Sequence, residues 1–249
     1  MSAGGPGPGL RVSFIVPAKN EAPTIEELLD DIARECAGLA PFEVVYVDDG
    51  SSDDTPARLR AARATRPWLR AVRHAESCGK SAALLSGARA AGAAILVTLD
   101  GDGQNDPRFV PAMVAILERD PATALVAGQR LRRGESDSAF KKLQSTIANG
   151  ARKALLRDGT RDTACGLKAI RRDVFLALPY FDTLHRFFPA LVAREGHGIA
   201  HADVVDRPRT AGVSHYGMLD RLLVGIPDLF GVWWLIRRRK RVPRIEETL

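Results

Sequence analysis

The sequence predicts an α/β fold built on a mostly parallel sheet flanked by helices, and three observations carry that expectation. Apolar runs alternate with helical spacing through the first 130 residues. Three of those runs, at about 10–18, 42–48 and 93–99, end abruptly in polar or acidic residues, as strands buried on both faces do at a ligand-binding edge. The chain has 249 residues, 45% of them hydrophobic, which is enough to bury one sizeable core.

The elements follow in order. A strand over 10–18 leads into a helix near 23–36, where Ile25, Leu28, Leu29, Ile32, Ala33 and Cys36 recur at helical spacing. A second strand, 42–48, precedes a helix near 54–65 with Thr55 as N-cap and Pro56 in its first turn. A short strand at 69–73, a helix at 80–91 behind Gly79, and the strand ending at Asp100 come next. A helix at 107–118 and a strand at 123–129 complete this part. Beyond Arg130 the regularity fails: the polar stretch 131–142 reads as a mobile loop, followed by a helix at about 140–157. Residues 161–172 read as a loop and short strand, 185–195 as a helix and 199–206 as a strand.

The termini differ in kind from this body. Residues 1–9 lack a basic stretch before an apolar segment and read as a tail, not a signal peptide. Cys36, Cys78 and Cys165 are odd in number and lack metal-ligand spacing, which suits buried small hydrophobes in a reducing compartment. Of the formal net charge of +6, five positive charges sit at Arg237, Arg238, Arg239, Lys240 and Arg241. That clustering argues against nucleic acid, whose binders spread cations over a face. The preceding segment, 216–236, is apolar but interrupted by Asp220, Arg221, Pro227 and Asp228, so it suits a spanning helix poorly. With Trp233 and Trp234 beside the basic cluster it reads as an amphipathic helix on an anionic membrane surface; a core helix or a homodimer seam is the alternative.

The acids at the strand ends carry the chemistry. Asp100 and Asp102 stand one residue apart after the run AAILVTL, where unpaired carboxylates call for a cation. Mg²⁺ or Mn²⁺, held through carboxylates and substrate phosphates, meets that need; a plain Asp-Gly turn is the competing reading. Asp48 and Asp49 end the second strand, and Pro17, Asn20 and Glu21 lie where the first strand passes into its helix. Lys80 opens a helix, a place suited to an anion or equally to a solvated lysine. Arg130 ends a strand on the same edge, where a guanidinium can hold phosphate oxygens bidentately.

Together VPAKNE (16–21), VDDGSSDDT (47–55), LDGDGQND (99–106), GQR (128–130) and PRTAGVSHYG (208–217) resemble the family 2 glycosyltransferases of the GT-A fold. Within that family the chain is most similar to the dolichyl-phosphate or polyprenyl-phosphate sugar synthases. The resemblance runs from about residue 10 to about 240 and implies a donor half near 10–130 and an acceptor half near 131–217, followed by a membrane-surface segment over 218–249. It implies that Asp100 and Asp102 are the D-x-D metal ligands, and that Pro17, Ala18, Asn20, Glu21, Val47, Asp49, Lys80, Gly101 and Gln104 border the nucleotide sugar. Arg130, Ser138, Arg209, Ser214 and Tyr216 would meet the acceptor, with Arg130, Arg209 and Asp162 contributing to catalysis. Asp49 has an alternative role as a cap through backbone amides, and Asp162 as a loop aspartate. Gly103 stands where the family commonly has an apolar residue, and His215 where it has a varied, often basic one.

The expected activity is a metal-dependent, inverting transfer of sugar from a UDP- or GDP-sugar to a polyprenyl (dolichyl or undecaprenyl) phosphate at the cytoplasmic membrane face. A soluble transferase acting on a saccharide or small molecule, and a nucleotide-sugar-binding scaffold without turnover, are the alternatives.

Overall fold

The computed structural model describes residues 9–131, 155–156, 158–208 and 218–238, with side chains of the last segment described from 225. Seven strands form one sheet: β1 (Val12–Ala18), β2 (Phe42–Asp48), β3 (Leu69–Arg73), β4 (Ile95–Thr98), β5 (Thr123–Arg130), β6 (Lys168–Arg171) and β7 (Gly198–Val204). Their order is β3-β2-β1-β4-β6-β5-β7. The pairs β1–β2, β1–β4, β2–β3 and β5–β7 are parallel, whereas β6 runs antiparallel to both β4 and β5. Six strands therefore point one way, and their carboxyl ends share an edge with the start of β6.

The central strands are apolar along their length because both faces are covered. Every residue of β1 and β4 is buried. Phe14 and Val16 face one core with α1 (Ile25–Glu35), α2 (Thr55–Thr65) and α4 (Val110–Arg119). Ile15, Val45 and Val47 face the other, which holds α3 (Lys80–Ala90), α5 (Arg172–Ala177) and α6 (Phe188–Arg194). Pro17 sits inside β1 without loss. Its carbonyl accepts from Gly101 N–H beyond the last β1–β4 pair, Ile15–Thr98, so the missing N–H would have faced the side where the ladder has ended.

Several expectations shift in detail. The helix anticipated from 23 begins as a 3₁₀ turn, Ala22–Thr24, and that from 107 as Pro107–Phe109. Thr55 is the first residue of α2 and not its N-cap; Asp54 holds that position, while Asp53 Oδ1 accepts from Thr55 N–H at 2.9 Å. The Thr55 hydroxyl instead accepts from Glu21 N–H at 3.0 Å, which ties the first loop to the second. Cys36 and Cys165 are buried as expected, but Cys78 is exposed. The helix α5 was not anticipated. The helix at about 140–157 and the loop at 131–142 lie almost wholly outside the described residues.

The last helix, α7 (Met218–Arg237), carries Pro227 within it. One side packs on the core through buried Val232, with Leu229, Trp233, Leu235 and Ile236 partly covered. The other side exposes Ile226, Phe230 and Trp234, spaced four residues apart. The tryptophan pair is thus divided: Trp233 packs inward under Arg237, whose guanidinium lies 3.9 Å from its ring centroid. Among the described residues no helix is long and apolar enough to cross a membrane.

Candidate active site

The chain runs from β1 outward through β2 and β3 and then returns to the other side of β1 at β4, so the switch point of the sheet lies between β1 and β4. The D-x-D loop opens there. Gly101 N–H donates to Pro17 O at 3.3 Å, and Thr24 Oγ1 donates to Gly101 O at 2.6 Å. A Cβ at position 101 would stand 2.8 Å from the Ala18 Cβ, so glycine is required by close approach. Gly103, by contrast, has open space around it and a φ of 73°, which accounts for its being glycine here.

Asp100 meets a cation directly: Lys80 Nζ donates to its Oδ1 at 2.5 Å. Burial would raise the Asp100 carboxyl, but the Lys80 ammonium, with Lys168 and His185 nearby, holds it below its ordinary value. Its backbone N–H donates to Asn105 Oδ1 at 2.9 Å. Asp102 Oδ1 accepts from the Gln104 N–H at 3.1 Å, and Gln104 O accepts from the Arg207 N–H at 2.8 Å. The two acids are therefore set on one short, hydrogen-bonded loop.

Asp49 takes a different environment. Its Oδ1 is 2.6 Å from His74 Nδ1 and accepts from Cys78 N–H at 2.9 Å; its Oδ2 accepts from Ser77 Oγ at 2.8 Å and Gly79 N–H at 2.9 Å. Burial pushes its carboxyl up, and these donors together pull it below the usual value. Asp49 thereby fixes the turn that delivers Lys80 to Asp100. Asp49, His74 and Cys78 lie close enough to share one ion, but the carboxylate is already satisfied by this turn. Asn20 adopts a left-handed conformation, φ 58°, that asparagine tolerates, and its Oδ1 accepts from Ser52 N–H at 2.8 Å. With Glu21 and Ala18, whose carbonyl accepts from Asp49 N–H at 2.8 Å, it joins the first two loops; Val47 is buried beneath them, opposite Pro17.

On the far side of the switch point Arg130 is gripped by two acids. Its Nε donates to Asp162 Oδ2 at 2.6 Å, its second amino group to Asp162 Oδ1 at 3.1 Å, and its third donor to Asp206 Oδ2 at 3.2 Å. These carboxylates outweigh burial and raise the guanidinium further above its ordinary value. Burial raises the Asp206 carboxyl despite Arg130. Asn105 Nδ2 donates to Asp206 Oδ1 at 3.3 Å. A continuous chain, Asp100–Asn105–Asp206–Arg130–Asp162, thus links the D-x-D loop to the Arg130 guanidinium.

Sequence reasoning missed Asp206, Asn105 and Gly166. Gly166 backs the Asp100 carboxylate so closely that a Cβ there would fall 2.5 Å from its carbon and both oxygens. The Gly within RDTACG was the available signal. Arg209, Ser138, Ser214 and Tyr216, together with His215, lie outside the described residues.

Residues 13–178 match the Glycosyl transferase family 2 profile. The chain is 32% identical over 237 residues to a dodecaprenyl-phosphate galacturonate synthase of Rhizobium johnstonii, covering 93% of this chain and 69% of that protein. It is 30% identical over 211 residues to an undecaprenyl-phosphate 4-deoxy-4-formamido-L-arabinose transferase of Sodalis glossinidius, covering 84% and 64%. The chain therefore spans about two thirds of these relatives' lengths. The fold is similar to that of glucosyl-3-phosphoglycerate synthase from Mycobacterium tuberculosis, solved with Mn²⁺, uridine-diphosphate-glucose and glycerol 3-phosphate. The TM-score is 0.69 at 24% identity, covering 94% of this chain and 82% of that one, a likeness of fold alone.

Proposed function

Because the chain belongs to glycosyl transferase family 2 and is a glycosyltransferase, we propose that it moves a sugar from a nucleoside-diphosphate donor to a polyprenyl phosphate, with inversion and dependence on a divalent ion. The observation that supports this reading is the hydrogen-bonded chain from Asp100 through Asn105 and Asp206 to Arg130, which joins the acidic D-x-D loop to a guanidinium on one sheet edge. The relatives' names add the lipid phosphate acceptor.

Asp100 and Asp102 fit Mg²⁺ or Mn²⁺. Their oxygens are hard ligands, and Asp100 already attracts a cation, the Lys80 ammonium. When bound, such an ion supplies positive charge against the negative charge growing on the departing diphosphate. Lys80, at the α3 N-terminus, would offer its ammonium to the donor phosphates where Asp100 and Asp102 hold such an ion. Arg130 takes the acceptor phosphate, with Asp162 holding the guanidinium plane. A phosphate monoester is anionic at neutral pH and attacks without a strong base, so Asp162 serves to position and not to deprotonate. The nucleotide rests against the loops of Pro17–Glu21 and Asp49, with UDP favoured over GDP as the first donor to test.

The exposed Ile226–Phe230–Trp234 stripe, ending at Arg237 and Arg238, supports docking on the anionic cytoplasmic face of a membrane, where the acceptor's prenyl chain resides. The test is transfer of radiolabelled sugar into the lipid phase from a panel of nucleotide sugars, with undecaprenyl phosphate and Mn²⁺ or Mg²⁺. Lipid-linked product is expected; label in a saccharide acceptor only, or no product with any donor, overturns the reading.

A further inference from the structure

The turn before α6 carries local strain. Thr183 adopts a left-handed backbone, φ 61° and ψ 2°, and among the described residues only Asn20 shares that sign of φ without being glycine. Asparagine tolerates the conformation, whereas a β-branched side chain is crowded by it and keeps it only where surrounding contacts fix it. Thr183 is buried, and its Oγ1 donates to Asp228 Oδ2 of α7 at 2.5 Å. Its N–H donates to Asp182 Oδ1 at 2.7 Å, and its carbonyl accepts from Arg186 N–H at 2.9 Å. The helix that supplies Asp228 is itself anchored: Val232 is buried, and Arg194 Nε of α6 donates to Leu235 O at 3.0 Å.

The same turn rests on the start of α3. Ser81 Oγ accepts from His185 N–H at 3.4 Å and lies 2.9 Å from His185 Nδ1. Burial, with Lys80 and Lys168 nearby, drives the imidazole pKa well down, so the ring is neutral and the Ser81 proton is free for Nδ1. A Cβ at Gly79 would stand 3.6 Å from Asp182 Oδ1, an ordinary contact distance. Gly79 and Ser81 flank Lys80, whose ammonium donates to Asp100 Oδ1 at 2.5 Å. Asp49 holds this segment from its other side, through Cys78 N–H and Gly79 N–H.

We propose that Thr183 is a positioning residue: its bond to Asp228 ties α7 to the turn that presents Lys80, and so sets the ammonium against the donor phosphates. The inference rests on the reading of Lys80 and the D-x-D loop as the donor site. Without the Asp228 bond the strained turn is free to relax toward a commoner backbone. Asp182 and His185 then shift against Gly79 and Ser81, and Lys80 loses the support that Asp49 alone does not give.

The test is titration calorimetry of the full chain with UDP and with GDP in Mn²⁺, for the wild type, Thr183→Val, Thr183→Ser, Asp228→Ala, Lys80→Met and the Thr183→Val, Lys80→Met double variant. Thr183→Val and Asp228→Ala are each expected to weaken the nucleotide that binds by about fivefold or more, the scale of coupling between linked sites. Thr183→Ser, which keeps the hydroxyl, is expected to bind as the wild type does. In the Lys80→Met background Thr183→Val should bring no further loss, because the residue acts through Lys80. Wild-type affinity in folded Thr183→Val and Asp228→Ala overturns the proposal, as does a loss that serine does not restore or that persists in full in Lys80→Met. Should Thr183→Val not fold, Asp228→Ala decides from the other end of the same bond. A wild type that binds neither nucleotide overturns the donor-site reading along with this one, whereas binding that ignores Thr183 and Asp228 overturns this one alone.

Discussion

Asp100 is opposed by burial and supported by Lys80, and the balance leaves it ionised at any pH near neutrality. Its partner on the loop, Asp102, is the more direct test. Asp102→Asn should lower turnover by about 10² or more, as loss of a group facing developing charge does, with an unchanged circular dichroism spectrum. Gly166→Ala places a methyl at 2.5 Å from the Asp100 carboxylate. It should displace that side chain and weaken Mn²⁺ binding, read by electron paramagnetic resonance, while costing about 1–3 kcal/mol of stability as overpacking does. Asp49 bears on pH. Its carboxyl is held below the value it has in the unfolded chain, so it stabilises the fold above about pH 4 and that contribution is lost as pH falls through the lower folded value. Denaturant unfolding at stepped pH should show that Asp49→Asn is less stable at pH 7 and loses less stability on acidification.

β6 explains why the second half of the chain was harder to read. Its four residues are nearly all buried, yet the strand runs against its neighbours, and a short apolar run carries no sign of direction. Its start consequently comes to the edge where the other strands end, which is how Lys168 reaches the site. In α7 the apolar pattern was legible, but which side docks was not. Val232→Ala should cost about 2 kcal/mol by thermal unfolding, because it removes buried methyl groups. Trp234→Ser should change stability by no more than about 0.5 kcal/mol, as surface substitutions do, while reducing sedimentation with anionic vesicles.

The two halves of the site are tied together through Asp206, which holds Arg130 with one oxygen and Asn105 with the other. A double-mutant cycle of Asn105→Ala and Asp206→Asn should therefore give a coupling of about 0.5–3 kcal/mol in stability, as residues in one hydrogen-bond network do. Independent effects would mean that the link carries no energy. This connection spans 101 residues of sequence and had no local signal in it. The same is true of the Arg130–Asp162 pair, whose members were each legible as polar groups at the end of a strand or in a loop but not as partners.

By itself the sequence determined the parallel strands of the first 130 residues, the edge at which Asp49 and Asp100 stand, and the family to which these motifs belong. Those features are local: an apolar run must be covered on both faces, and the acids that interrupt it must stay near solvent or a cation. Only the tertiary structure decided that Asp49 braces the Lys80 turn, that Gly166 backs Asp100, that Asp206 joins Asn105 to Arg130, and that Lys168 lies buried near enough to Asp100 to act on its carboxyl. Each of these depends on strand order and on contacts between segments far apart in the chain, and the electrostatic environment they create arises only once the sheet has brought those segments together.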